Sequence, residues 1–154
     1  MLRISKLTDY GTVVLGHLAQ VEGGYASAPD IASATGVGLP TVSKLLKNLA
    51  KAGLVTSTRG AQGGYRLSRE AARISAADVI DALEGPVSIT ECSGEDSHCG
   101  LEAVCNVGSA WQRINVGIRR ALQEISLDDL KRANAPTPLF NFAGTPISVE
   151  RKMK

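Results

Sequence analysis

Between Ala28 and Leu67, two helical apolar patterns flank a three-residue glycine turn, and two short strand-like runs follow at once. Few architectures accept that order. The first helix fits Pro29 to Thr35, with Ser27 or Ala28 ahead of it and Ile31 and Ala32 facing inward. Gly36-Val37-Gly38 makes a tight turn. The next helix runs from about Leu39 to Ala52, with Val42, Leu45, Leu46 and Leu49 on one face and Lys44, Lys47 and Lys51 on the other. Gly53 closes it. Leu54 to Thr58 alternates as a strand does. Tyr65-Arg66-Leu67 returns after a glycine-rich tip, Arg59-Gly60-Ala61-Gln62-Gly63-Gly64.

The flanks extend this helical picture. Tyr10, Val13, Val14, His17, Leu18 and Val21 fall at helical spacing, with Thr8 or Asp9 as the cap and Glu22-Gly23-Gly24 as the stop. Ser75 with Asp78 forms a capping-box pattern that opens a helix through Leu83, ended by Gly85-Pro86. Ile89 to Gly108 reads as loop. From about Val107, the residues Trp111, Ile114, Ile118, Ala121 and Ile125 lie near heptad spacing, so a long helix with a packing seam is expected. Trp111 is most simply a packing residue of that seam. Ser126-Leu127-Asp128-Asp129-Leu130 reads as a cap and one last short helix. From Ala133 onward, Pro136, Pro138, Gly144 and Pro146 precede a basic end, Arg151 to Lys154, and disorder is expected. The fold class is therefore mainly α with a small β-hairpin, a winged helix-turn-helix followed by a long C-terminal helix.

Charge is unevenly spread along the chain. Residues 1–75 carry nine Lys/Arg and four Asp/Glu, a net +5, whereas residues 76–154 carry eight and eleven, a net −3. The excess concentrates at Lys44, Lys47, Lys51, Arg59, Arg66, Arg69 and Arg73, against Glu70 alone. A solvated basic face would look the same by charge alone, but the helical frame favours a polyanion partner. A helix fits the major groove of double-stranded DNA and presents its N-terminal residues to the base edges. Here those are Leu39, Pro40, Thr41, Ser43 and Lys44. Arg59 at the hairpin tip would enter a narrow minor groove, and Gly60 would let the backbone approach the sugar-phosphate wall. Arg66, Lys47 and Lys51 would position the protein on phosphates. Aromatic residues are scarce in this region, which disfavours stacking on single strands.

Other function classes fit less well. No stretch approaches the roughly 20 apolar residues that span a bilayer. The opening residues show no secretory pattern, so no membrane partner and a cytoplasmic location are expected. No histidine–carboxylate pair accompanies the cysteines, there is no C-x-x-C, and no glycine loop follows a strand and opens a helix, so an enzyme is not expected.

The three cysteines all lie within residues 92–105: Cys92, six residues, Cys99, five residues, Cys105. In a reducing compartment, three thiols in one polar loop read as metal or redox chemistry. Structural zinc sites favour close cysteine pairs, which this loop lacks. Wider spacing, with Gly94 and Gly100 between, suits an iron–sulfur cluster. Three free thiols on a mobile loop are the plainer reading. A cluster would need a fourth ligand, and Asp9, His98, Glu102 and Glu91 are the candidates, with His98 ranked below Asp9 because it adjoins Cys99.

Four segments together carry a family resemblance: Lys6-Leu7-Thr8-Asp9-Tyr10, the Lys47 to Val55 stretch KNLAKAGLV, Arg59 to Leu67, and the three-cysteine loop followed by Trp111. Over roughly residues 1–132 the chain resembles the Rrf-two superfamily of winged-helix regulators, which includes IscR-like and NsrR-like members. Its opening is most similar to the subgroup that regulates SUF iron–sulfur assembly operons. The resemblance implies a homodimer on a pseudo-palindromic operator, with a cluster held by Cys92, Cys99 and Cys105, [2Fe–2S] taken ahead of [4Fe–4S]. IscR-like members complete the site with a histidine three residues after the last cysteine, where this chain has Gly108. NsrR-like members use an aspartate at the start of the first helix, donated by the other subunit, and Asp9 matches it. Ser43 stands where IscR-like proteins carry an acidic residue, so the target sequence does not carry over. The implied layout is a DNA-binding domain at 1–84, a cluster loop at 85–106, a dimerisation helix with its cap helix at 107–132, and a tail at 133–154. The implied function is cluster-dependent repression of a SUF operon, or alternatively a nitric-oxide- or redox-responsive repressor of other stress genes with the same cluster.

Overall fold

The structure, a computed structural model, describes residues 4–21, 23–60, 63–90, 100 and 105–132, with two short pairs at 141–142 and 145–146. Its elements are α1 (Lys6–Leu18), α2 (Ala28–Thr35), α3 (Leu39–Lys51), β1 (Val55–Thr58), β2 (Gly64–Leu67), a 3₁₀ turn (Ala71–Arg73), α4 (Ala76–Leu83), α5 (Gly108–Glu124) and α6 (Leu127–Lys131). β3 (Asn141–Phe142) and β4 (Thr145–Pro146) pair antiparallel; the rest of the tail, where disorder was expected, lies outside the described residues.

Caps explain most of the boundaries. α1 starts a turn before its apolar pattern suggests, because Ser5 is the cap: its hydroxyl accepts the Thr8 N–H at 3.3 Å. The expected caps, Thr8 and Asp9, lie inside the helix instead, with Thr8 buried and Asp9 exposed. Ser27 caps α2, whose far end turns at Gly36 in the left-handed region (φ 71°). The Ser75/Asp78 capping box is formed, and a second box, Ser126 with Asp129, opens α6. The 3₁₀ turn before α4 has no clear signal in the sequence.

One core joins these elements. Val14, Leu15, Ile31, Val42, Leu45, Leu46, Leu49, Ile74, Val79 and Leu127 are almost or fully buried in it. α3 shows why the period matters: its four core residues are buried while Lys44, Lys47 and Lys51 are exposed. Strands β1 and β2 form the wing, registered Val55 to Leu67, Thr56 to Arg66, Ser57 to Tyr65 and Thr58 to Gly64. Ala26 adds a single antiparallel bridge to the far edge of β2, exchanging two backbone hydrogen bonds with Tyr65 (3.0 and 2.8 Å). Gly64 makes that addition possible. It sits at φ 154°, and a Cβ there would lie 2.5 Å from the Ala26 carbonyl oxygen, which is backbone and cannot move aside.

α5 packs on α4 through a two-pronged ion pair, with Arg119 donating to both carboxylate oxygens of Asp81 at 3.1 and 2.6 Å. Asn115 donates to the Val87 carbonyl at 3.1 Å. The expected seam is divided. Ile118, Ala121 and Ile125 are half-buried, whereas Val107, Trp111 and Ile114 are 57, 42 and 47% exposed. Among the described residues, no helix is long and apolar enough to cross a membrane.

Candidate nucleic-acid interface and cysteine loop

α3 places its cationic face outward because its apolar face is fixed in the core. Leu39 and Pro40 are exposed at its first turn, Thr41 and Ser43 are half-exposed, and Lys44 and Lys47 are exposed. Gly38 is the N-cap and supplies no side chain, so the helix's positive pole is left open to an anion. At the far end of β1, Arg59 and Gly60 lie exposed at the wing tip, and Gly63 closes the turn by donating to the Gly60 carbonyl at 2.9 Å. Ala61 and Gln62 lie outside the described residues.

The ion pairs separate two groups of cations that look alike in sequence. Arg69 pairs with Asp78 at 3.1 Å, and Arg73 sits 3.9 Å from Glu70. Both serve the connection into α4. Among the described residues, Lys44, Lys47, Lys51, Arg59 and Arg66 are in no ion pair. Arg66 instead lies over the Tyr25 ring, 4.9 Å from its centroid. Uncompensated positive charge on α3 and the wing is what a phosphate backbone requires. Tyr25 was not visible from the sequence, since no alternating run marks Tyr25-Ala26 as a strand.

A second cluster ties the ends of the domain together. Glu84, at the end of α4, accepts from the Ser5 N–H at 3.0 Å and from the Thr8 hydroxyl. The Thr8 hydroxyl first, then the Ser5 N–H, hold the Glu84 carboxyl below its ordinary range. A depressed carboxylate adds stability above its unfolded pKa, near 4.5, and loses it as pH falls through the lower folded value. Glu84→Gln should therefore flatten the acid limb of the stability profile below about pH 4.5, by about 0.5 kcal/mol or less because the group is exposed. Urea unfolding at a series of pH values checks this; a limb as steep as wild type would contradict it.

Of the cysteines, Cys105 is described; it is a half-buried free thiol three residues before the start of α5. Its sulfur faces the first residue of that helix, since a Cβ on Gly108 would lie 3.6 Å from Sγ, an ordinary contact. Position 108 is thus bare but directed at the sulfur. Cys92, Cys99, Glu91, His98 and Glu102 lie outside the described residues, and among the described residues no three His, Cys, Asp or Glu meet as a metal site. By residue type the donor set suits an iron–sulfur group: the sequence supplies three thiols, Cys105 is half-buried near the foot of α5, and Asp9 offers an exposed carboxylate in the first turn of α1.

A family model for an iron-dependent transcriptional regulator, Rrf2, matches residues 4–133. The chain belongs to the Rrf2 family. Its members are transcriptional regulators, so this chain is a winged-helix, DNA-binding regulator and not an enzyme. Protein rrf2 of Nitratidesulfovibrio vulgaris is 35% identical over 132 residues, 85% of this chain and 88% of that one. Among solved structures, CymR, the global cysteine regulator of B. subtilis, is 34% identical with a TM-score of 0.68, covering 88% of this chain and 100% of its own. IscR of T. potens is 33% identical with a TM-score of 0.64, covering 87 and 89%. These Rrf2 likenesses bear out the winged-helix fold expected from the sequence.

Proposed function

We propose that this chain is a homodimeric Rrf2 regulator that binds a pseudo-palindromic operator and represses a SUF iron–sulfur assembly operon according to the state of an iron–sulfur cluster. One juxtaposition carries the reading: an uncompensated cationic face on α3 and the wing, in a chain whose three-thiol segment ends at Cys105, a half-buried free thiol near the foot of α5. Likeness to IscR supports the cluster.

Pro40, Thr41, Ser43 and Lys44 would meet base edges, Lys47 and Arg66 would meet phosphates, and Arg59 with Gly60 would enter the minor groove. A second copy would cover Val107, Trp111 and Ile114, setting the two α3 helices one helical turn apart on DNA. Cys92, Cys99 and Cys105, with Asp9 of a partner, would hold the cluster, [2Fe–2S] ahead of [4Fe–4S]. When bound, the cluster supplies a cross-link that oxidants or nitric oxide break. The chain's own contacts link that loop to the DNA-binding face. Its two ends are α4, whose Glu84 holds the N-terminus of α1, and α5, whose Arg119 grips Asp81. A shift at the loop therefore moves α1 and α4, both packed against α3.

The test is binding of the anaerobically purified protein, with and without its cluster, to the promoter fragment upstream of its own gene. A difference of about 5- to 150-fold is expected, with a salt dependence near −0.9 per phosphate neutralised. Equal affinity of both forms would overturn the sensing claim. If that promoter is not regulated but other stress promoters respond to nitric oxide, the alternative reading stands. A colourless, iron-free protein would move the reading towards the cysteine-regulating CymR.

A further inference from the structure

The ring of Tyr25 has no assigned role, and its place follows from register. Ala26 pairs with Tyr65, so in the antiparallel sense Tyr25 stands opposite Arg66. Along β2, Tyr65 and Leu67 pack against the core, whereas Arg66 between them is exposed, as a strand's alternation requires. Tyr25 is half-buried yet is not among the side chains packed on the core. What its ring does meet is the Arg66 guanidinium, 4.9 Å from the centroid and within cation–π range. No carboxylate among the described residues pairs with Arg66.

We propose that Tyr25 is a positioning residue for DNA binding: its ring carries the face of the Arg66 guanidinium and leaves the N–H edges free for a phosphate. The inference rests on the reading of Arg66 as a phosphate contact. A guanidinium stacks by its face and donates from its edge, so both contacts form at once, which a lysine could not do. Stacking leaves the charge in place, whereas an ion pair would neutralise it. The Ala26–Tyr65 bridge and the tight fit of Gly64 on Ala26 fix the distance between ring and cation, so the arginine meets DNA already ordered.

Binding to a mixed-sequence DNA duplex, measured across salt concentrations, tests this. Tyr25→Leu should weaken binding about 2- to 5-fold, and Tyr25→Phe should bind as wild type, because the ring face and not the hydroxyl does the work. Arg66→Ala should weaken binding and reduce the salt slope by about one. Adding Tyr25→Leu to Arg66→Ala should change nothing further. An equal loss from Tyr25→Leu in both backgrounds would mean a merely structural role and would overturn the proposal, as would no loss in either. Should Tyr25→Leu fail to fold, NMR of the intact protein decides: the Arg66 δ and ε protons are expected upfield from the ring current, and unshifted resonances refute the stacking. If Arg66→Ala leaves binding unchanged while Lys47→Ala weakens it, this proposal fails and the DNA reading survives; if no variant alters the salt slope, the DNA reading itself fails.

Discussion

Cys105→Ala is expected to abolish the visible absorption of anaerobically purified protein while leaving the fold intact. The two halves of that expectation have separate causes. Cys105 is half-buried and stands outside the core cluster, so its replacement by a smaller apolar residue removes little packing. Its thiolate is a different matter. In the proposed site a cluster would have three sulfur donors and one weaker oxygen donor, and losing one of the three would leave two. The loss of colour should therefore be complete, with urea unfolding of the apo-protein shifted by about 0.5 kcal/mol or less. Asp9→Ala is the graded control. Asp9 is exposed in the first turn of α1, so apo-protein stability should hold, while the cluster should bleach faster in air. Gly108→His offers the converse. Position 108 is directed at the Cys105 sulfur with room for a Cβ, so an added imidazole should slow bleaching. Retained colour in Cys105→Ala would remove this cysteine from the ligand set.

Much of the fold is legible in the sequence because its signals are local. The glycine turn, the four apolar positions of α3, the Ser75 and Ser126 boxes and the hairpin all depend on residues a few positions apart. What could not be read depends on partners far along the chain. Ser5 replaced Thr8 as the cap because Glu84, 79 residues away from Ser5, draws the Ser5 N–H and the Thr8 hydroxyl to itself. Tyr25 became a wing residue only through pairing with β2. Arg69 and Arg73 looked like part of the DNA-binding charge until the fold brought Asp78 within 3.1 Å of Arg69 and left Arg73 beside Glu70. In the cysteine loop, composition points to the chemistry, but no spacing rule supplies the relative placement of its three thiols.

The largest expected loss of stability comes from a residue the sequence marks only as part of a last short helix. Leu127→Ala should cost about 2–5 kcal/mol, the range for a buried leucine whose cavity cannot collapse. Leu127 has no exposed surface and sits in the core shared by α1, α3 and α4, although its helix has five residues. Backbone pairing holds it there: Ala76 donates to the Ile125 carbonyl at 2.8 Å, and Leu127 donates to the Ile74 carbonyl at 2.7 Å. Those bonds join the start of α4 to the end of α5, so the side chain inserts beside Ile74 instead of ending a free helix. Leu130 on the same helix is 38% exposed, and Leu130→Ala should cost well under half as much. The loss has two routes, global unfolding or release of α6 alone, and hydrogen exchange separates them. Global destabilisation lowers protection in α1 and α3 together with α6. Local release strips protection from α6 and leaves the α3 amides as in wild type. Given the shared core, the global route is expected, and a urea midpoint close to that of wild type would show that α6 is an appendage.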